Sequence, residues 1–144
     1  MYCISGNYND PIGKKIGEWF AEKQKLPVTG PYSAICWGEN VGNDIRPVAA
    51  AIFNDYNGSS IEAHFYGPKG LTPRVIHNIT EYVYTQLGCN ILLVKIPRNN
   101  KFKRLLPRLS FKYIAVIPEY FGKDKKGDAI MYVLKKEDAK KWIR

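Results

Sequence analysis

The sequence predicts an α/β (α+β) fold, a mixed sheet flanked by helices. Three observations predict it. A strand–helix–strand run over residues 60–96, with one short loop on each side of the helix, reads as a βαβ crossover and hence as two near-parallel strands. Alternating or apolar runs at 32–37, 46–53, 111–120 and 128–136 supply further strands. An amphipathic stretch, Asp10 to Lys25, precedes them all. At 144 residues the chain suits one domain around one core.

Each element has its own justification. Asp10 can cap the first helix, Pro11 suits its first turn, and Ile12, Ile16, Trp19 and Phe20 recur at helical spacing. KLPVTGPY ends that helix with Pro and Gly. YSAICW (32–37) reads as a strand, GENVGND (38–44) as a loop, and RPVAAAIF (46–53) as the next strand. DYNG (55–58) is a turn, because Asn-Gly tolerates the positive φ that tight turns demand. SIEAHFY (60–66) then alternates, with Ile61, Ala63 and Phe65 on one side and Glu62, His64 and Tyr66 on the other.

Past GPKGL (67–71), Thr72 can cap and Pro73 open a strong helix whose stripe is Val75, Ile76, Ile79, Tyr82, Val83 and Leu87, with Gly88 closing it. NILLVKI (90–96) is nearly all apolar, as a strand covered on both faces should be. Asn99 or Asn100 can cap a third helix, with Phe102, Leu105, Leu106 and Leu109 on its apolar side and Lys101, Lys103, Arg104 and Arg108 on the other. Pro107 predicts a kink or an early stop there. FKYIAVIPEY (111–120) and DAIMYVLKK (128–136), joined by FGKDKKG, read as an antiparallel hairpin. A short amphipathic tail ends at Trp142 and Ile143.

Composition narrows the function classes. Apolar residues make up 45% and charged residues 24%, which suits a globular chain. There is no signal-like start and no apolar run near 18 residues, so the expectation is a soluble cytoplasmic protein with no membrane partner. Cys3, Cys36 and Cys89 are far apart and lack zinc spacing to His64 or His77, which argues against a disulfide framework or structural metal. Residues 1–60 hold five Lys and Arg against six Asp and Glu, whereas residues 61–144 hold seventeen against seven. That basic half calls for an anionic partner, either a nucleic acid or a smaller polyanion such as a nucleotide cofactor. A solvated, solubilising face is the plainer account of the same charge.

YNGSSIEAHFYG, TEYVYTQLG, RNNKFKRLLPRLSF and GDAIMYVL, in this order and spacing, resemble the GNAT superfamily of acyl-CoA N-acyltransferases, and within it the small GNAT-like proteins of tailed phages and some bacteria. The resemblance runs from about Arg46 to the C-terminus. It includes Asn99 followed by Leu109, Ser110 and Phe111, where the family has an Asn and, about ten residues later, Leu-Gly-Phe.

The resemblance implies a mostly antiparallel sheet that splays open between strands 60–66 and 90–96. Acetyl-CoA would lie in the opening, with its pyrophosphate at the start of the crossover helix. It also implies a division of the single domain 1–144 into an acceptor-side region, 1–45, and an acetyl-CoA-binding core, 46–144. Carried over by position, the cofactor contacts are Phe65, Tyr66, Gly70, Leu71, Thr72, Arg74, Val75, Asn99 on the pantetheine arm, and Lys103 near the adenosine phosphates.

Elementary chemistry agrees with that seat. Free N–H groups and the helix dipole favour an anion at a helix start, and Gly67 and Gly70 let the backbone approach a ligand. The family's loop pattern, Arg/Gln-x-x-Gly-x-Gly/Ala, is met only at Gly70; Gly67 and Thr72 stand at its two ends. His64, with an ordinary pKa of roughly 6.5, suits a general base at neutral pH, and Glu62 suits an orienting group or an alternative base. Both also suit the plainer role of half-buried polar groups on a sheet. The family's acid, a Tyr about seven residues after the Asn, is replaced by Leu106; Ser110 and Tyr113 are the nearest hydroxyls in sequence.

Three functions are in play. The first is an acetyl-CoA-dependent N-acetyltransferase acting on an amine of a protein or small molecule. The second is a GNAT-fold binding protein without efficient catalysis, such as a phage factor acting on a host or virion protein. The third, a nucleic-acid binder, is disfavoured because Phe102 alone interleaves the basic run.

Overall fold

In the computed structural model, which describes residues 2–123 and 127–143, seven strands form one sheet. They are β1 (Tyr2–Asn7), β2 (Ser33–Val41), β3 (Asp44–Asn54), β4 (Ser60–Tyr66), β5 (Ile91–Pro97), β6 (Lys112–Ile117) and β7 (Ala129–Lys135). Their order across the sheet is β1-β2-β3-β4-β5-β7-β6. Every neighbouring pair is antiparallel except β4 and β5, the two strands of the crossover.

Two corrections concern the first half. β1 was not expected; its burial alternates between exposed and half-buried, so it carries little apolar signal, and it exists because it pairs with β2 from Tyr2↔Gly38 to Asn7↔Ser33. The expected loop 38–44 is mostly strand. β2 and β3 continue as a hairpin out to Val41↔Asp44, with Gly42 supplying a φ of 63° at the tip.

Helix α1 (Pro11–Gln24) starts where expected. The carboxylate of Asp10 accepts from Gly13 N at 2.7 Å and from Asn7 N at 2.8 Å. Ile16 and Phe20 pack on Ala34, Cys36, Ala50 and Ile52, on one face of β2 and β3. The helix sits close because Gly13 lies against the Asn7 carbonyl; a Cβ there would stand 1.8 Å from that oxygen.

The opposite face carries the larger core. α2 (Pro73–Thr80) begins at Thr72, whose Oγ1 accepts from Val75 N at 3.3 Å, with Pro73 as its first residue. It continues as a π-helical turn (Glu81–Gln86) that closes with Leu87 N on Tyr82 O at 2.9 Å and Gly88 at φ 70°. Val75, Ile76, Ile79, Val83 and Tyr84 bury against Ile61, Ala63, Leu92 and Ile96, each large aliphatic side chain contributing about 1.5–3 kcal/mol. Trp37 is fully buried in the same cluster, its Nε1 donating to Asn78 Oδ1 at 2.9 Å.

The expected helix at 99–109 is shorter and broken: a 3₁₀ turn (Lys101–Lys103), then α3 (Leu105–Arg108). Asn100 caps it, accepting from Phe102 N at 2.8 Å. Pro107 falls inside α3, which stops one residue later, and Ser110 follows at φ 76°. β6 and β7 form the expected hairpin. Of its connection FGKDKKG, residues 124–126 lie outside the described residues. A short helix, α4 (Lys140–Ile143), lays Trp142 and Ile143 on the α2 side. Among the described residues no helix is long and apolar enough to cross a membrane.

Candidate active site

The site is created by an interruption. β4 and β5 pair from Ser60↔Ile91 to Ala63↔Val94 and no further. Beyond those residues the strands part, as His64–Tyr66 on one side and Lys95–Pro97 on the other. A cavity of about 130 Å³ fills the parting. It runs between Leu71, Ile76, Phe102 and Leu106 at the α2 end and Phe20, Leu26 and Phe121 at the α1 end, with His64 and Lys95 in its wall.

Strands that part leave backbone groups without ladder partners, and a buried carbonyl needs a donor. Gln24, at the end of α1, supplies one: its Nε2 donates to the Phe65 carbonyl at 2.9 Å. On the other strand Pro97 has no N–H to satisfy.

Strand alternation puts Glu62 and His64 on the α1 face, and the parallel register brings Lys95 of β5 to the same face. Glu62 is the hub. Its Oε1 accepts from Lys95 Nζ at 2.8 Å, and its Oε2 lies 3.2 Å from His64 Nε2. The side chains of Glu62, Lys95 and His64 are 5%, 20% and 30% exposed, so the charges meet largely out of water. A second acceptor, Asn54 Oδ1, stands 3.3 Å from the same His64 nitrogen. With two acceptors beside it, Nε2 carries the proton of the neutral ring, and Nδ1 keeps the lone pair.

The pKa directions follow. Burial pushes His64 below its ordinary value; Glu62 opposes that, the Lys95 charge adds to it, and the net shift is downward. His64 is therefore neutral at pH 7, as a general base must be. Burial alone would lower Lys95, but its hydrogen bond and charge contact with Glu62 outweigh it and the net shift is upward, so Lys95 stays an ammonium. The Lys95 Nζ also sits 4.9 Å from the centre of the Tyr120 ring.

The loop between β4 and α2 is the second part of the site. Gly67 is buried, and a Cβ there would stand 2.6 Å from the Phe65 ring; Gly70 holds φ 78°. The amides here are largely engaged: Gly70 N bonds Gly67 O, Thr72 N bonds Gly70 O, and Val75 N bonds Thr72 Oγ1. Pro73 has no N–H. Among the described residues, that leaves Arg74 as the amide of the first turn of α2 without a protein partner. Its exposed side chain makes no ion pair there. Lys69, by contrast, is turned to Glu39 at 3.2 Å.

The structure thus distributes the residues singled out in the sequence. His64, Phe65 and Leu71 line the cavity, Glu62 stands behind His64, and Gly70, Thr72 and Arg74 form its loop and helix start. Tyr66 packs edge-on against Trp19 on the α1 face, Val75 is buried in the core, and Lys103 is exposed on the basic turn. Asn99 is exposed, whereas Asn100 lines the cavity. Leu106 is 2% exposed and part of the cavity wall; Ser110 and Tyr113 are not. Sequence reading passed over Lys95, although a lone charge in an apolar strand was a usable signal. It also passed over Gln24, whose role depends on tertiary placement.

Solved structures with the same architecture include several acetyltransferases. A spermidine/spermine N-acetyltransferase from Vibrio cholerae superposes with a TM-score of 0.66 at 12% identity, over 97% of this chain and 98% of that one. The N-acetyltransferase PseH of Campylobacter jejuni, solved with acetyl coenzyme A, gives 0.57 at 16% identity over 93% and 99%. An acetyltransferase from Salmonella typhimurium, solved with acetyl-CoA, gives 0.57 at 20% identity over 83% and 70%. No protein-family model and no curated protein sequence matches the chain. At these identities the superpositions establish the fold: it is the GNAT fold, including the splay between β4 and β5.

Proposed function

We propose that the protein is an N-acetyltransferase that moves the acetyl group of acetyl-CoA onto an amine. The observation that carries the proposal is His64, held neutral with Nε2 toward Glu62 and Asn54, in the wall of a cavity formed where the sheet opens. The GNAT fold and its acetyl-CoA-bearing neighbours support the reading.

The cavity chemistry fits the cofactor. Leu71, Ile76, Phe102 and Leu106 offer an apolar wall to the pantetheine arm, and Asn100 offers an amide to its polar groups. Thr72, Val75 and Arg74 shape the helix start, where the Arg74 amide and guanidinium would meet a phosphate, with Lys103 further out. Asn99, beside Asn100, faces outward and would serve at most the cofactor's outer part. Acetyl-CoA supplies an activated thioester.

The protein's own part is proton handling. His64 Nδ1 accepts a proton from the amine as the amine nitrogen bonds to the carbonyl carbon. Glu62 stabilises the resulting imidazolium. When the carbon–sulfur bond breaks, the sulfur needs one proton, and among the described residues the cavity wall holds no hydroxyl to give it. His64 returns the proton it took, so the exchange balances on one residue.

The test measures thiol release from acetyl-CoA across an amine panel, beside thermal unfolding with and without acetyl-CoA. Saturation at one hundred times Kd adds roughly 2.7 kcal/mol, a rise of about 5–10 °C for a domain of this size. No rise, together with no thiol release, would sink the proposal.

A further inference from the structure

We infer that the acceptor is a monoamine carried on an apolar, preferably aromatic, body, and that polycationic amines are excluded. The inference rests on the acetyltransferase reading above and names the substrate class of the same site.

Phe20, Leu26 and Phe121 form the walls of the α1 end of the cavity, and Gln24 has its amide committed to the Phe65 carbonyl. Among the described residues, no carboxylate lines the cavity. Glu62, next to the wall residues His64 and Lys95, is buried and already holds Lys95 on one oxygen and His64 beside the other. Among the described residues of the wall, the one full charge is the Lys95 ammonium, a cation.

A polyamine or aminoglycoside would bring a second ammonium into this space. That ammonium would find no free anion, would lose its water against phenyl rings, and would share a small, poorly hydrated volume with Lys95. Each effect is unfavourable, and a desolvated unpaired charge is the largest. An arylalkylamine brings no second ammonium and meets these costs only at the one nitrogen that must lose its charge to react. Its ring has aromatic and aliphatic walls to fill, and its single nitrogen is the atom that loses a proton to His64. Selectivity of this kind, a site that leaves a substrate's polar group unpaired, is the strong kind.

The experiment compares kcat/KM for 2-phenylethylamine and spermidine with acetyl-CoA saturating, and repeats the comparison in Leu26→Glu. Leu26 is half exposed at the cavity rim, so the variant should fold. Calorimetric titration of each amine into the CoA-loaded protein gives a second readout that needs no turnover. The expected result is a preference for 2-phenylethylamine on the order of 100-fold or more, narrowed by about tenfold or more in Leu26→Glu, where a rim carboxylate can hold a second ammonium. Equal or better use of spermidine by the unaltered protein overturns the inference while leaving the acetyltransferase reading intact. Acetyl-CoA binding with neither amine bound nor acetylated also overturns it. Absence of acetyl-CoA binding removes the reading itself, and the inference with it.

Discussion

The two faces of the sheet are finished in different ways. On the α2 face, strands from β2 to β7 contribute to one continuous apolar cluster in which Trp37 and Tyr84 have their polar atoms hydrogen-bonded. On the α1 face, a smaller cluster covers β2 and β3, and beyond it stand Glu62, His64 and Lys95 around the opening. The difference teaches that the main core and the candidate site are drawn from opposite sides of the same strands. Ile61 and Ala63 face the core while their neighbours Glu62 and His64 face the candidate site, because side chains along a strand alternate.

The sharpest test of that division is His64→Ala. It should lower kcat/KM by about 10²- to 10⁴-fold, the usual worth of a general base, while the denaturation midpoint moves little. A large loss of stability would mean that the α1 face also holds the fold together. Leu106→Ala tests the other face. Removing that buried side chain should cost about 2–5 kcal/mol in urea unfolding, and a result under one kcal/mol would show that the α2-side core is loosely built there.

Glu62→Gln strikes the boundary between the two roles. It strands the partly buried Lys95 ammonium and should cost about 1–3 kcal/mol. It also removes the charge that holds the His64 pKa up, so the acid limb of the kcat/KM profile should move to lower pH. An unmoved limb would show that another group is the base.

The smallest effect is on stability against pH. His64 has its folded pKa depressed below the unfolded value of roughly 6.5. Above that value the ring is neutral in both states and contributes nothing. As pH falls through 6.5 the unfolded chain takes up a proton that the folded one resists, and stability drops by at most about 1.4 kcal/mol per pH unit. The drop ends once pH passes below the depressed folded value. His64→Ala should remove this component, which thermal unfolding between pH 7 and pH 5 would detect.

The legible parts of the fold were those with strong local chemistry. Thr72-Pro73 at the start of α2, Gly88 at its end, the alternation of β4 and the apolar run of β5 were all readable, because each is set within a few residues. β1 and the outer half of the β2–β3 hairpin were not. Residues such as Tyr2, Cys3 and Val41 are exposed, so pairing with a neighbouring strand, and not an apolar pattern, makes them strand. The π-helical turn was also hidden, since Tyr82, Val83 and Leu87 fit an ordinary helical stripe.

The site divides along the same line. Glu62 and His64 could be seen to share a face. Lys95 could be joined to them only by the β4–β5 register, across 33 positions of sequence. Asn99 and Asn100 were equal candidates for a cap, and cap geometry, invisible in composition, turned Asn100 inward.

The seam between β4 and β5 has a consequence for how the chain meets other strands. A gap in a sheet is an edge, and an edge invites a further strand, from the same molecule or another. Here the invitation is withdrawn on both sides: the Phe65 carbonyl is already held by Gln24, and Pro97 has no hydrogen to donate. Two of the backbone positions at which a further strand could pair are thereby closed where the sheet is least complete.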